Sequence, residues 1–153
     1  MKRILAIGIG SLIMKDDGIG SRVAEALRTS LQEHDILSFS GETDFAACFH
    51  KIRPDDFLIL IDATSLGREP GSIEIMPLRE TLQNRGRLCA QHDFSLFDVL
   101  FLLYPDIEGF FIGIEAVETG FGLELSDELG RRFEPICSAV LAAVIQIKKC
   151  VNR

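Results

Sequence analysis

At 153 residues, 47% of them apolar and 25% charged, the chain is long enough to bury a core as one unit and too apolar for intrinsic disorder. A formal net charge of −7 argues against a nucleic-acid partner or an anionic-membrane surface, and the basic cluster Lys148, Lys149 and Arg153 reads as a solvated helix end. No apolar stretch reaches the roughly 18 residues of a membrane span. The short N-terminal apolar run reads as a first strand and not a signal peptide. Cys48, Cys89, Cys137 and Cys150 lack zinc-knuckle spacing and read as reduced core thiols, so a cytoplasmic location is expected.

In chain order, residues 3–9 read as a first strand. A loop follows, Gly10-Ser11-Leu12-Ile13-Met14-Lys15-Asp16-Asp17-Gly18, and then a helix from about Ile19 to Glu33. Ile36–Ser40 reads as a second strand and Gly41–Asp44 as a loop, with Asp44 capping a helix over Phe45–Ile52 that Pro54 ends. Phe57–Ile61 is an uninterrupted apolar run closed by Asp62, the mark of a central parallel strand covered on both faces. Ser72–Pro77 alternates as an edge strand, with Ile73 and Ile75 inward and Glu74 and Met76 outward. Residues 79–93 read as a loop with at most a helical turn. Ser95–Tyr104 reads as an apolar helix stopped by Pro105, and Gly109–Glu115 as the last strand. Ser126 caps a C-terminal helix that runs to about Lys149 with a break at Pro135. Strands alternating with helices predict an α/β fold, a three-layer α/β/α sandwich on a mostly parallel sheet.

In such sheets ligands collect at the carboxyl ends of the strands. The opening loop invites a nucleotide reading, but the third glycine of a dinucleotide fingerprint is Ile13, and Lys15 is followed by Asp16 where a phosphate loop needs Ser or Thr. Two carboxylates where phosphates would sit are electrostatically wrong. The stronger constellation is Asp17 after the first strand, Asp62 closing the third and His92 before an apolar helix. One imidazole with two carboxylates suits a divalent metal. Spacing alone leaves open that these are cap carboxylates and a surface histidine. His34 and His50 read as exposed residues near helix ends.

Gly8-Ile9-Gly10-Ser11 with Asp16-Asp17-Gly18-Ile19-Gly20 resembles the signature of the hydrogenase maturation proteases, endopeptidases that trim the C-terminal extension from the large subunit of nickel–iron hydrogenases. Phe57–Ala63, Glu69–Ile73, Gln91-His92-Asp93 with Asp98-Val99-Leu100, and Ile112–Glu115 with Thr119–Ser126 resemble the family's later blocks, in order and over nearly the whole chain. The resemblance implies one such domain over 1–153, with a five-stranded twisted sheet and one antiparallel strand. It implies a metal bound by Asp17, Asp62 and His92, which would also be the catalytic set, with Asp16 left open beside them. The metal it implies is nickel supplied by the substrate, with no organic cofactor; the partner is the large-subunit precursor, met by a monomer or weak dimer.

Whether the ion activates water or only positions the bond while a carboxylate acts as base stays open at this point. Ser11 stands where the family usually has asparagine and should still bond the loop backbone. Ser40–Asp44 replaces the family's acidic residue and paired glycines, in a loop held to select the substrate. Competing classes are a same-fold protease or non-catalytic chaperone of another metalloenzyme precursor, and a small-ligand α/β module.

Overall fold

The computed structural model describes residues 1–85 and 95–153. Its sheet is five-stranded: β1 (Ile4–Ile9), β2 (Leu37–Glu42), β3 (Phe57–Thr64), β4 (Ile73–Pro77) and β5 (Glu108–Glu115), in spatial order β2-β1-β3-β5-β4. The β1–β2, β1–β3 and β3–β5 pairs are parallel and β4–β5 is antiparallel. The helices are α1 (Ile19–Ala26), α2 (Arg28–Glu33), α3 (Phe45–Lys51), α4 (Leu78–Gln83), α5 (Leu96–Leu103), α6 (Asp127–Arg131) and α7 (Phe133–Val151).

Strand alternation divides the core into two layers. Ile4, Ala6, Ile59, Ile61, Ile112 and Ile114 face Ile19, Val23, Leu31, Val140 and Val144 of α1, α2 and α7. Leu5, Ile7, Leu58, Leu60 and Phe111 face Cys48, Leu82, Phe97 and Leu100 of α3, α4 and α5. Successive side chains of one strand point to opposite faces, so the unbroken run in β3 feeds both layers and all of Phe57–Ile61 is buried. This is the predicted three-layer α/β fold.

Several local expectations shift. The helix after the opening loop is two helices stepped at Leu27, preceded by a 3₁₀ turn over Lys15–Gly18. Residues 78–83 form α4, whose buried Leu78, Thr81 and Leu82 give it an inward face; 86–93 of the expected loop lie outside the described residues. On the edge strand β4, Ile73 packs against one layer and Met76 against the other, while Ile75 is 45% exposed. The expected in–out pattern fails there because helices overlap each face of an edge strand only in part. The C-terminal break falls before Phe133; Pro135 sits in the first turn of α7, where its missing N–H has no partner to lose. Among the described cysteines, Cys48 is buried, Cys137 is half-buried against the core and Cys150 is exposed, so of these three Cys48 alone is a fully buried thiol. Burial first, then the charge of Asp44, pushes the Cys48 thiol up to about 11. Cys89 lies outside the described residues. His50 is exposed, whereas His34 is half-buried with Nδ1 2.9 Å from the Ser30 carbonyl. Lys148 is half-buried, its ammonium on the His34 carbonyl, so that helix end is only partly solvated.

One ion pair fastens the start of the sheet. Arg3 donates Nε to Asp56 Oδ1 at 2.8 Å and Nη2 to Oδ2 at 2.6 Å, and Arg53 N–H donates to Oδ2 at 2.7 Å. Asp56 is 1% exposed. Burial pushes its carboxyl up, but the Arg3 and Arg53 bonds outweigh that and hold it below the usual carboxylate range. A depressed acid stabilises the fold above its unfolded pKa, and that contribution is lost as pH falls through the folded value. Asp56→Asn should cost about 2 kcal/mol at neutral pH. Urea midpoints of wild type and variant should converge as the pH is taken below about 4.

Candidate active site at the carboxyl ends of the strands

The opening loop is shaped by close backbone approaches. A Cβ on Gly8 would sit 2.0 Å from the Gly20 carbonyl oxygen, and one on Gly20 would sit 2.1 Å from Ile61 O and 2.6 Å from Ile9 O. The first turn of α1 therefore lies directly on the carboxyl ends of β1 and β3. Asp17 precedes that turn and Asp62 follows Ile61, so the same contacts bring the two carboxylates together. Gly10, at φ +122°, lets the loop fold back until a Cβ there would stand 1.7 Å from Asp17 O. Ser11 bonds the loop backbone as expected, its Oγ accepting from Ile13 N–H at 3.4 Å.

Asp16 and Asp17 have different fates. Asp16 is fully buried and accepts four bonds: Val117 N–H and Glu118 N–H at 2.9 Å, and Ser126 N–H and Oγ–H at 2.8 Å. It ties the opening loop to the loop after β5, a link repeated by Lys15 N–H to Gly122 O and Gly122 N–H to Ile13 O. With four donors already around it, Asp16 has no lone pair directed at solvent. Asp16→Asn places an amide NH₂ among those donors and should destabilise the protein by about 3 kcal/mol, read as a lower urea midpoint. Asp17 is half-buried, and among the described residues only its Oδ2 is engaged, by Ser11 N–H at 3.0 Å. Asp17 takes the Ser11 N–H of the opening loop and adds negative charge there, which weighs against a phosphate in that loop.

Asp62 lies within β3, which continues to Thr64, opposite Gly113 of β5. Its Oδ1 accepts from its own residue's neighbour, Ala63 N–H, at 2.7 Å. Desolvation first, and then the charge of Asp17, push its carboxyl well above the usual carboxylate range; the Ala63 bond opposes this. Each of Asp17 and Asp62 keeps one oxygen without a hydrogen bond among the described residues. Two mutually repelling carboxylates with unused oxygens are a donor set that a divalent cation relieves. His92 lies outside the described residues; among those described, no three His, Cys, Asp or Glu side chains form a metal-binding group. The described chain stops at Arg85 and resumes at Ser95, and its two ends are joined by Arg85 Nε to Asp98 Oδ1 at 2.8 Å. Asp98 also closes a capping box with Ser95 at the start of α5.

Two supports were not foreseen. Glu115 is 2% exposed and its carboxylate gathers Thr64 Oγ1–H, Leu66 N–H and Arg68 N–H, fixing the loop that follows the Asp62 strand. A carboxylate closing an apolar strand was its only signal in the sequence, the same signal that marked Asp62. Beside the opening loop, Ile13, Val117, Phe121 and Leu123 form an apolar rim in which Phe121 is 81% and Leu123 73% exposed. An open groove of about 1140 Å³ runs past Leu12, between Arg22 and Glu25 of α1 and Asp127 and Arg131 of α6, to Glu42 at the end of β2. Glu42, in the Ser40–Asp44 run where the resemblance expects an acidic residue and paired glycines, has φ +50°.

The class of molecule is therefore an α/β/α protein with paired carboxylates over the carboxyl ends of its central strands. Residues 21–143 match the family described as hydrogenase maturation protease. The chain is 29% identical to the hydrogenase 2 maturation protease of Escherichia coli K12, over 93% of this chain and 90% of that protein. It is 28% identical to the hydrogenase expression/formation protein HupD of Thiocapsa roseopersicina, over 98% of this chain and 71% of that one. The fold superposes on the hydrogenase maturating endopeptidase HybD from E. coli with a TM-score of 0.75 at 25% identity, covering 94% and 93% of the two chains. It superposes on the [NiFe] hydrogenase maturation protease HybD of Thermococcus kodakarensis with a TM-score of 0.72 at 25% identity, covering 95% and 98%. The chain belongs to the hydrogenase maturation protease family and is an endopeptidase of that class. Among the described residues no helix is long and apolar enough to cross a membrane.

Proposed function

We propose that this endopeptidase removes the C-terminal extension of a nickel–iron hydrogenase large-subunit precursor, and that Asp17, Asp62 and His92 engage the nickel already held by that precursor. The observation that carries this reading is the Asp17–Asp62 pair, in which one carboxylate raises the other's pKa while each keeps an uncommitted oxygen. In this reading the nickel belongs to the substrate, and the protease completes its coordination instead of storing a metal of its own. Docking on the metal sets the scissile bond beside the two carboxylates, so that an unloaded precursor is ignored. The ion, once brought there, can polarise the scissile carbonyl and lower the pKa of an attacking water. Asp17 and Asp62 orient the ion, and the carboxylate left freer accepts the water's proton.

The apolar rim around Phe121 and Leu123 gives a protein substrate a surface to bury, as exposed apolar patches beside a site commonly do. Cleavage of nickel-loaded precursor by Asp17→Asn and His92→Ala, read as loss of the extension's mass, tests the assignment. Both should fall by at least about a thousandfold; wild-type rates in both would remove the roles given to them.

A further inference from the structure

A second charged feature lies on the amino-terminal half of β1 and β2, away from the carboxylate pair. A pocket of about 390 Å³ there is lined by Arg3, Arg28, Lys51 and Arg53, by His50, and by Leu37, Ser38 and Phe39 of β2, with no aspartate or glutamate in its wall. Asp56, beneath the pocket, balances Arg3 and its charge reaches Arg53, but no carboxylate of the wall itself compensates the cations. Arg3 is committed to Asp56, but Arg28, Lys51 and Arg53 enter no salt bridge among the described residues. Lys51 Nζ stands 4.4 Å over the Phe39 ring, held above the strand. Ser38 Oγ is buried with no hydrogen-bond partner, and Leu37 is 51% exposed.

The strand beneath is the outermost of the sheet and pairs only with β1 among the described residues. Its cations come from both sides: α2, which starts at Arg28, packs on one face, and α3, which ends at Lys51, packs on the other. An unpaired strand edge is a template for another strand. In an added strand, alternate side chains would point to the two faces. We propose that the outer edge of β2 takes up an extended acidic peptide segment of a partner protein as a further strand, its carboxylates alternately meeting Arg28 on one face and Lys51 and Arg53 on the other. A lone phosphate fits less well, because the cations straddle an open edge and part of the wall is apolar. The site is independent of the peptidase assignment.

The test uses the full chain and a short labelled peptide of repeating Val-Glu-Glu-Val, whose adjacent glutamates fall on opposite faces of a strand, with a Val-Lys-Lys-Val repeat as control. Fluorescence anisotropy should report binding of the acidic peptide alone, and hydrogen exchange should show new protection at amides of 37–42. Arg28→Glu with Arg53→Glu should weaken binding at least about tenfold, with precursor cleavage unchanged; Arg28→Gln with Arg53→Gln should weaken it less. Absence of binding, binding without protection at 37–42, an unaffected charge-reversal variant, or displacement by inorganic phosphate at peptide-like concentration would each overturn the proposal.

Discussion

Asp62→Asn is expected to abolish precursor cleavage, by about a thousandfold or more, while leaving the protein as stable as wild type or more so. The two halves of that expectation have one cause. Asp62 stands in a desolvated place near the carboxyl end of β3 and beside Asp17, and both effects disfavour its charge. The substitution keeps the shape and can keep an oxygen on Ala63 N–H, so the only large loss is the negative charge itself. The folded protein without a cation is relieved by that loss, whereas a cation bridging the pair loses a ligand. Functional sites often carry such destabilising charge. Thermal melting of the purified variant together with the cleavage rate reads both halves. A variant that is markedly destabilised, or that still cleaves at the wild-type rate, would contradict the expectation.

Gly20→Ala is expected to be strongly damaging for a single added methyl group. The added carbon would stand 2.1 Å from Ile61 O and 2.6 Å from Ile9 O, backbone atoms held in the middle of the sheet. The start of α1 must lift away, which opens the packing of Ile19 and Val23, both fully buried. It also carries Asp17 away from Asp62. Stability should fall by about 3–5 kcal/mol and cleavage should fall with it. Gly130→Ala is the matched control: it lies in α6 with nothing within 4 Å of an added Cβ, and it should gain about 0.5–1 kcal/mol from better helix propensity. Urea unfolding of the two variants against wild type makes the comparison, and equal midpoints would show that α1 is not seated as described.

The main architecture could be read from the chain because it rests on strong local patterns. The run Phe57–Ile61 has no polar interruption, is too short for a buried helix, and as a strand needs cover on both faces. Asp44 and Ser126 were legible as caps because their role is local: Ala47 N–H and Leu129 N–H lie three residues away. What could not be read depends on residues far apart in sequence. Asp16 and Asp17 are chemically alike and adjacent; only Val117, Glu118 and Ser126, a hundred positions on, make one of them an internal strut. The antiparallel pairing of β4 came from family resemblance, since alternation alone does not give direction. Pro135 misled because proline is harmless in a first helical turn, and where that turn begins is set by Ser126 and α6. His92 was read from its place before an apolar helix and from family resemblance; it lies outside the described residues, so its role rests on those and on the pair it would complete.

Mass spectrometry of a hydrogenase large-subunit precursor, nickel-loaded in one sample and metal-free in the other, before and after exposure to this protein, tests the central claim most directly. The account predicts loss of a single C-terminal fragment from the loaded precursor and an unchanged mass for the metal-free one. Equal cleavage of both, or of neither, would contradict it.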